Sequence, residues 1–284
     1  MPRAKRHFFP GYVWHLTQRC HKREFLLEAS REKESWLNWL AESKKRYGLV
    51  VLDYTVTSNH VHLLALSPGI ANAIARTMHL ASSRVAQEYN FRVQRRGAFW
   101  EDRYHSTAVE AGAHLVRCSA YIDMNMVRAG IVTHPEEWEY GGYAEIHGDP
   151  GGRSIIDIGD WLEIMKIKDP GLFRRIHRMA IETALKKHEL INRDARWSET
   201  KATGSRDFVR SFQRKLGGSL RRNEIIKNGG PYELRERREE YANLNPYSSR
   251  ILSHRNKRRY PGPTPDQKFS SSSRKMPSLA VAST

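Results

Sequence analysis

Two strand-like runs meet across two residues. LVVLDYTVT (49–57) and HVHLLAL (60–66) are dense in β-branched and aliphatic side chains and are separated only by Ser58-Asn59. That gap has room for a tight turn and nothing longer, so the two runs form an antiparallel hairpin at the centre of a sheet. Residues 11–19 (GYVWHLTQR) alternate aromatic and β-branched with polar residues and supply a further strand, and residues 99–110 offer another. Between them lie segments of helical period. In 29–47, Trp36, Leu37, Leu40 and Tyr47 recur among Glu and Lys, with Gly48 as a stop signal. In 72–91, Ile74, Met78, Ala81, Val85 and Tyr89 recur every three or four residues, and 113–128 is a third helix closed by Gly130. The order β-α-β-β-α-β-α predicts an α+β domain, an antiparallel sheet with helices packed on it, in a ferredoxin-like arrangement with a terminal helix added.

The turn cluster Asp149-Pro150-Gly151-Gly152 marks a boundary. Residues 1–150 are expected to form the first domain. Residues 151–252 are expected to form a basic, mainly helical extension, with helices near 160–168, 171–188 and 207–216. Residues 215–222 (KLGGSLRR) could turn a small helical DNA-binding unit. Residues 253–284, rich in Pro, Ser and basic residues, read as a disordered tail. Charge follows this division. Of 48 Lys+Arg and 31 Asp+Glu in 284 residues, the first 150 hold 19 and 16 and the remainder 29 and 15. The net charge of +17 is therefore concentrated beyond residue 150, in extension and tail together, and such a surface concentrates polyanions, with nucleic acid the leading partner. No run approaches the length of a membrane span or a secretory signal. Two cysteines, Cys20 and Cys118, are too few for a disulfide scaffold and fit a reducing cytoplasm, with one bridge between them left open.

The sharpest local feature is His60-Val61-His62. Strand residues two apart share a face, so the two imidazoles project together and can chelate one divalent ion. Read alone, they are equally two histidines on a polar sheet face. In the third helix Tyr121 and Asn125 are four apart and share a face, with Arg117 and Arg128 near it. Arg92, Arg95 and Arg96 are available for phosphates, Phe99, Trp100 and Tyr104 for base stacking, and Arg103 for either DNA or a carboxylate such as Asp123. Asp53 and Asp102 are the remaining acids of note, and nothing in their spacing requires a catalytic role.

His60-Val61-His62 followed by Tyr121-Ile122-x-x-Asn125-x-Val127-Arg128-Ala129-Gly130, with Phe99-Trp100-x-x-Arg103-Tyr104 between them and Arg19-x-x-Lys22-Arg23 before, resembles the single-tyrosine HUH transposases. Within them the pattern is most similar to the REP-associated tyrosine transposases, over roughly residues 8–146. Where the family has Pro after the Asn, this chain has Met126. The resemblance implies a Tyr121 nucleophile and a divalent ion, Mg²⁺ or Mn²⁺, held by His60, His62 and Asn125, although an imidazole-rich site also suits Zn²⁺. It implies DNA contacts from Arg92, Arg95, Arg96, Trp100, Arg103, Arg117 and Arg128. The expected activity is cleavage and strand transfer of single-stranded or hairpin DNA through a 5′-phosphotyrosine. The expected protein is cytoplasmic and nucleoid-associated, with no membrane partner, and a monomer, a homodimer being the alternative. Two other readings stand beside it: a non-catalytic DNA-binding regulator retaining the fold, and an unrelated metal hydrolase using the His pair. The hydrolase ranks last, because no further ligand and general base appear at a recognisable spacing.

Overall fold

The structure, a computed structural model, describes Arg6 and residues 8–148, 153–187, 193–217, 223–227 and 230–236. The expected tail 253–284 lies outside these residues, as does most of the 215–222 segment. The expected hairpin is present as β2 (Val50–Val56) and β3 (His60–Leu66), joined through Ser58-Asn59. β1 (Val13–Arg19) pairs with β3 in antiparallel register, with Thr17 opposite His62 and Arg19 opposite His60. β4 (His105–Val109) lies on the other side of β1, His15 opposite Thr107. The run 99–110 expected as one long strand is cut to its second half. Trp100 makes only an isolated bridge to Cys20, and Asp102 and Arg103 sit in the connecting loop, where the Asp102 carboxylate accepts from the Arg103 N–H at 2.7 Å.

Helices α1 (Ser30–Tyr47), α2 (Ala73–Arg92) and α3 (Ala113–Asp123) fall where the apolar periodicity put them. Gly48 ends α1 at φ 64°, a left-handed conformation that glycine adopts without the Cβ penalty. The third helix is shorter than its pattern. It breaks at Met124, whose ψ is 2°, and resumes for one turn as α4 (Asn125–Arg128). The break keeps the helical register, because Met124 N–H still reaches Ala120 O and Arg128 N–H reaches Met124 O. Tyr121 and Asn125 therefore stay one turn apart. Gly130, at φ 68°, closes the turn. A single turn, α5 (Tyr143–Ile146), precedes the extension.

The extension is helical where expected: α6 (Ile158–Met165), α7 (Pro170–Lys186), a short α8 (Arg196–Glu199) and α9 (Arg206–Lys215). Asp169 caps α7 by accepting from the Gly171 and Leu172 N–H groups, with Pro170 at the first helical position. It also carries three strands that the sequence pattern does not show: β5 (Ala202–Gly204), β6 (Asn223–Lys227) and β7 (Tyr232–Glu236). β5 pairs parallel with β4, so a single seven-stranded sheet runs β2-β3-β1-β4-β5-β7-β6 through both halves. The described residues all fall in one compact unit.

The sheet has two covered faces. On one, Gln18 meets Ser82 of α2 and Trp14 meets Phe212 of α9. On the other, α3 lies over β2 and β3, α7 packs on α3, and Trp161 of α6 donates from Nε1 to Leu52 O at 2.6 Å. The hydrophobic core is continuous across both halves, from Leu16, Trp36 and Leu63 to Trp161, Phe173 and Trp197. Cys20 and Cys118 are both buried and free, and burial pushes the Cys20 thiol up to about 12. Among the described residues no helix is long and apolar enough to cross a membrane.

Candidate active site

His60 and His62 leave β3 on the face covered by α3, and their ring centroids are 4.9 Å apart. Each Nδ1 is already engaged. For His60 it lies 2.9 Å from Thr57 Oγ1 and 2.7 Å from Asn59 Oδ1, both in the hairpin turn. For His62 it lies 2.8 Å from Nε2 of His15, which stacks beside it from β1 with the rings 5° from parallel. Both Nε2 atoms are thereby turned to one point, the side-chain amide of Asn125, at 2.8 Å from His62 and 3.4 Å from His60. Burial, with Arg19 and Arg128 adding to it, pulls His60 down to about 4; burial and the neighbouring histidines hold His62 well below its ordinary value. At neutral pH both rings are uncharged and each can offer a lone pair.

Tyr121 stands over this group, its ring 6.1 Å from His62 and 6.3 Å from His15, both edge-on. Arg128, one helical segment later, folds back so that its guanidinium sits 3.9 Å above the Tyr121 ring and donates to the Tyr121 carbonyl at 2.7 Å. Burial raises the phenol above its ordinary value, and Arg128 opposes that shift most strongly. The other face of Tyr121 is covered from the extension. Trp197 of α8 lies 5.8 Å from its ring and 6.2 Å from His15, and the Asp194 backbone hydrogen-bonds the hydroxyl. Tyr121 is 4% exposed as a result.

His60, His62, Tyr121, Asn125 and Arg128 line a cleft of about 490 Å³. Arg19, Arg103, Arg128 and Arg193 give it four guanidiniums, against Glu101 and Asp102. Of the residues singled out from sequence, Arg19, His60, His62, Asp102, Arg103, Tyr121, Asn125 and Arg128 therefore come together. The others do not. Arg92 pairs with Glu32 of α1 on the opposite face of the sheet, and Arg95 pairs with Glu24 at 3.1 Å. Arg96 is exposed in the loop after α2. Arg117 opens into a separate groove with His114 and Met179, so Arg128 takes the place beside the phenol. Trp100 is half-buried and donates from Nε1 to Ser82 O at 2.8 Å, while Phe99 and Tyr104 are buried packing residues. Asp123 turns away from Arg103 and meets His177 of α7.

His15, Trp197 and Arg193 are site residues that sequence spacing did not single out. For His15 a signal existed: it alternates with Thr17 and Arg19 in β1, on the face that a central position beside β3 would turn toward the histidine pair. Trp197 and Arg193 come from a segment with no motif, brought in by the β4–β5 pairing and by the hydrogen bonds of His105 and Thr107 to Thr200 O.

Residues 10–125 match the sequence model of the IS200-like transposases. No curated protein sequence matches the chain. Among solved structures, a REP-associated tyrosine transposase bound to a REP hairpin is 16% identical, with a TM-score of 0.43, over 55% of this chain and 94% of that one. A transposase from Deinococcus radiodurans R1 is also 16% identical, with a TM-score of 0.29, over 37% of this chain and 84% of that one. Every residue of the His60, His62, Tyr121 and Asn125 group lies within or at the end of the matched segment, so the likeness to the IS200-like transposases covers the site itself.

Proposed function

We propose that the chain is a transposase of the REP-associated single-tyrosine type and cleaves and rejoins single-stranded DNA at hairpin-bearing repeats, with Tyr121 as nucleophile. The observation that carries the reading is the convergence of the His60 and His62 Nε2 atoms on Asn125 beneath the Tyr121 ring. The donor set fits a divalent ion. Both rings are neutral, both Nδ1 atoms are anchored so that the Nε2 lone pairs aim inward, and rotation of the Asn125 amide presents its oxygen to the same point. Mg²⁺ or Mn²⁺ held there would polarise the scissile phosphate and offset charge on the departing 3′ oxygen.

The chain's own residues supply the rest. Tyr121 Oη attacks phosphorus, forming a 5′-phosphotyrosine while the 3′ oxygen leaves and takes up a proton as a free hydroxyl. Arg128 on the ring face favours the phenolate and so opposes the rise that burial imposes on the phenol. Arg19, Arg103 and Arg193 line the route for the strand's phosphates. Rejoining reverses the same transesterification and needs no nucleotide cofactor. The basic extension, residues 151–252, holds DNA and covers Tyr121 through Trp197.

Purified protein incubated with Mn²⁺ and labelled hairpin-bearing single strands from the DNA flanking its own gene should yield a labelled band at protein mass on a denaturing gel. Tyr121→Phe should bind the same strands and give no such band. An adduct in Tyr121→Phe would place the nucleophile elsewhere; binding with no cleavage by the parent protein would leave the non-catalytic regulator as the reading.

A further inference from the structure

A second cluster of metal-binding side chains lies outside the cleft. Asp53 of β2, Asp123 at the end of α3 and His177 of α7 each bring a ligand atom within 4.8 Å of the others, and all three are buried. Ser119 Oγ sits among them, donating to Asp53 Oδ2 at 2.5 Å and lying 2.9 Å from His177 Nε2. The Asp53 carboxylate also accepts from the Tyr54 N–H at 2.7 Å. Asp123 differs: its side chain is 1% exposed and neither carboxylate oxygen makes a hydrogen bond, although Oδ2 stands 3.3 Å from His177 Nε2. No lysine or arginine among the described residues pairs with either acid. Two sealed carboxylates without a cation are an unstable arrangement, because the charged form of each loses its hydration and repels the other.

We propose that Asp53, Asp123 and His177 hold a structural divalent cation of the zinc class, fastening the extension to the helix that carries Tyr121. The spacing suits such an ion. Zinc–ligand bonds of about 2.0–2.1 Å place tetrahedral ligands about 3.3–3.4 Å apart, and His177 Nε2 and Asp123 Oδ2 stand at 3.3 Å. The imidazole is oriented as metal-bound histidines are. His147 Nε2 lies 3.2 Å from His177 Nδ1, which turns Nε2 toward the acids. Ser119 Oγ donates to Asp53 Oδ2 and so holds that carboxylate in place, and a set of ligands closed to solvent is the structural rather than the catalytic form. Gly142 leaves room for the Asp53 carboxylate, since a Cβ there would clash with Oδ1. The ion would join β2, α3 and α7, and so couple residues 170–186 to the segment on which Tyr121 and Asn125 sit.

The test uses the full chain carrying His60→Ala and His62→Ala, so that the cleft cannot bind metal, stripped with chelator and given Zn²⁺ or Mn²⁺ alone. One equivalent of Zn²⁺ should be retained after desalting, and the Tm should rise with added Zn²⁺. Adding Asp123→Asn keeps the side-chain shape and removes one buried charge. That variant should match or exceed the metal-free parent in Tm, yet retain no zinc and show no rise with it. Retention of neither metal by the parent background, or an equal zinc-dependent rise in the Asp123→Asn protein, would overturn the site; retention of Mn²⁺ in preference to Zn²⁺ would overturn the zinc-class assignment.

Discussion

Helix α3 ends between two histidine clusters of similar chemistry and opposite surroundings. On one side His60, His62 and Asn125 border a cleft of about 490 Å³ with four arginines in its wall. On the other, Asp53, Asp123 and His177 are closed off, with two carboxylates and no arginine or lysine paired to them among the described residues. Tyr121 and Asp123 are two residues apart and belong to different clusters. The contrast shows what decides a polar cluster's use. Access to an anionic strand and a ring of fixed positive charge suit reaction; exclusion of water suits holding elements together, because every interaction there is undamped.

The largest expected effects break the comparison on its open side. His60→Ala and His62→Ala should each reduce covalent adduct formation at saturating Mn²⁺ by at least about 1,000-fold, equivalent to roughly 4 kcal/mol of transition-state stabilisation. His60 lies at the strand end beside the turn, so its variant should keep a parental thermal midpoint while losing activity. Asp53→Ala should do the reverse of that on the closed side. It leaves the Tyr54 N–H and the Ser119 hydroxyl without their acceptor, at a cost of about 1–3 kcal/mol in stability. Activity lost in proportion to unfolding in both variants would erase the distinction between the clusters.

A smaller effect sharpens the distinction by asking how the open cluster is positioned. His15 touches no cleft space, yet its Nε2 fixes His62 Nδ1 at 2.8 Å. His15→Leu keeps side-chain size and removes that anchor. Loss of such a partner costs about 10- to 100-fold in metal affinity, so the Mn²⁺ concentration for half-maximal cleavage should rise by that factor while the rate at saturating Mn²⁺ changes little. A fall in the saturated rate with unchanged Mn²⁺ dependence would mean that His15 serves the nucleophile and not the histidine pair.

How much of this was legible in the chain follows from what each signal depends on. The hairpin, its turn and the three N-terminal helices depend on neighbours in sequence, and residues 49–66 and the apolar period of α1 and α2 showed them. The His60, His62, Tyr121 and Asn125 group was legible because two short-range rules, strand alternation and helical repeat, act inside a recognisable motif order. His15 depends on β1 lying between β3 and β4, a register no local spacing states. The strands of the extension were missed for a related reason: Ala202-Thr203-Gly204 is three residues long, without alternation, and is a strand only because β4 offers it an edge. With it went Trp197 and Arg193. The arginines at 92, 95 and 96 were legible as charge, but charge does not say which face of the sheet it lies on.

That last point gives the smallest and most specific comparison. Arg103 lines the cleft, whereas Arg92 pairs with Glu32 on the far face. Each phosphate neutralised on a single strand contributes about 0.7 to the slope of log K against log salt. Arg103→Ala should therefore reduce the magnitude of that slope by about 0.7 for hairpin-bearing single strands, measured by fluorescence anisotropy between 50 and 200 mM salt. Arg92→Ala removes the same formal charge from the protein but no proposed phosphate contact, and a screened charge on the opposite face should leave the slope unchanged. Equal slopes for the two variants, both shallower than the parent, would show that DNA responds to net charge over the whole surface, and the arginines of the cleft would lose their claim to guide the strand.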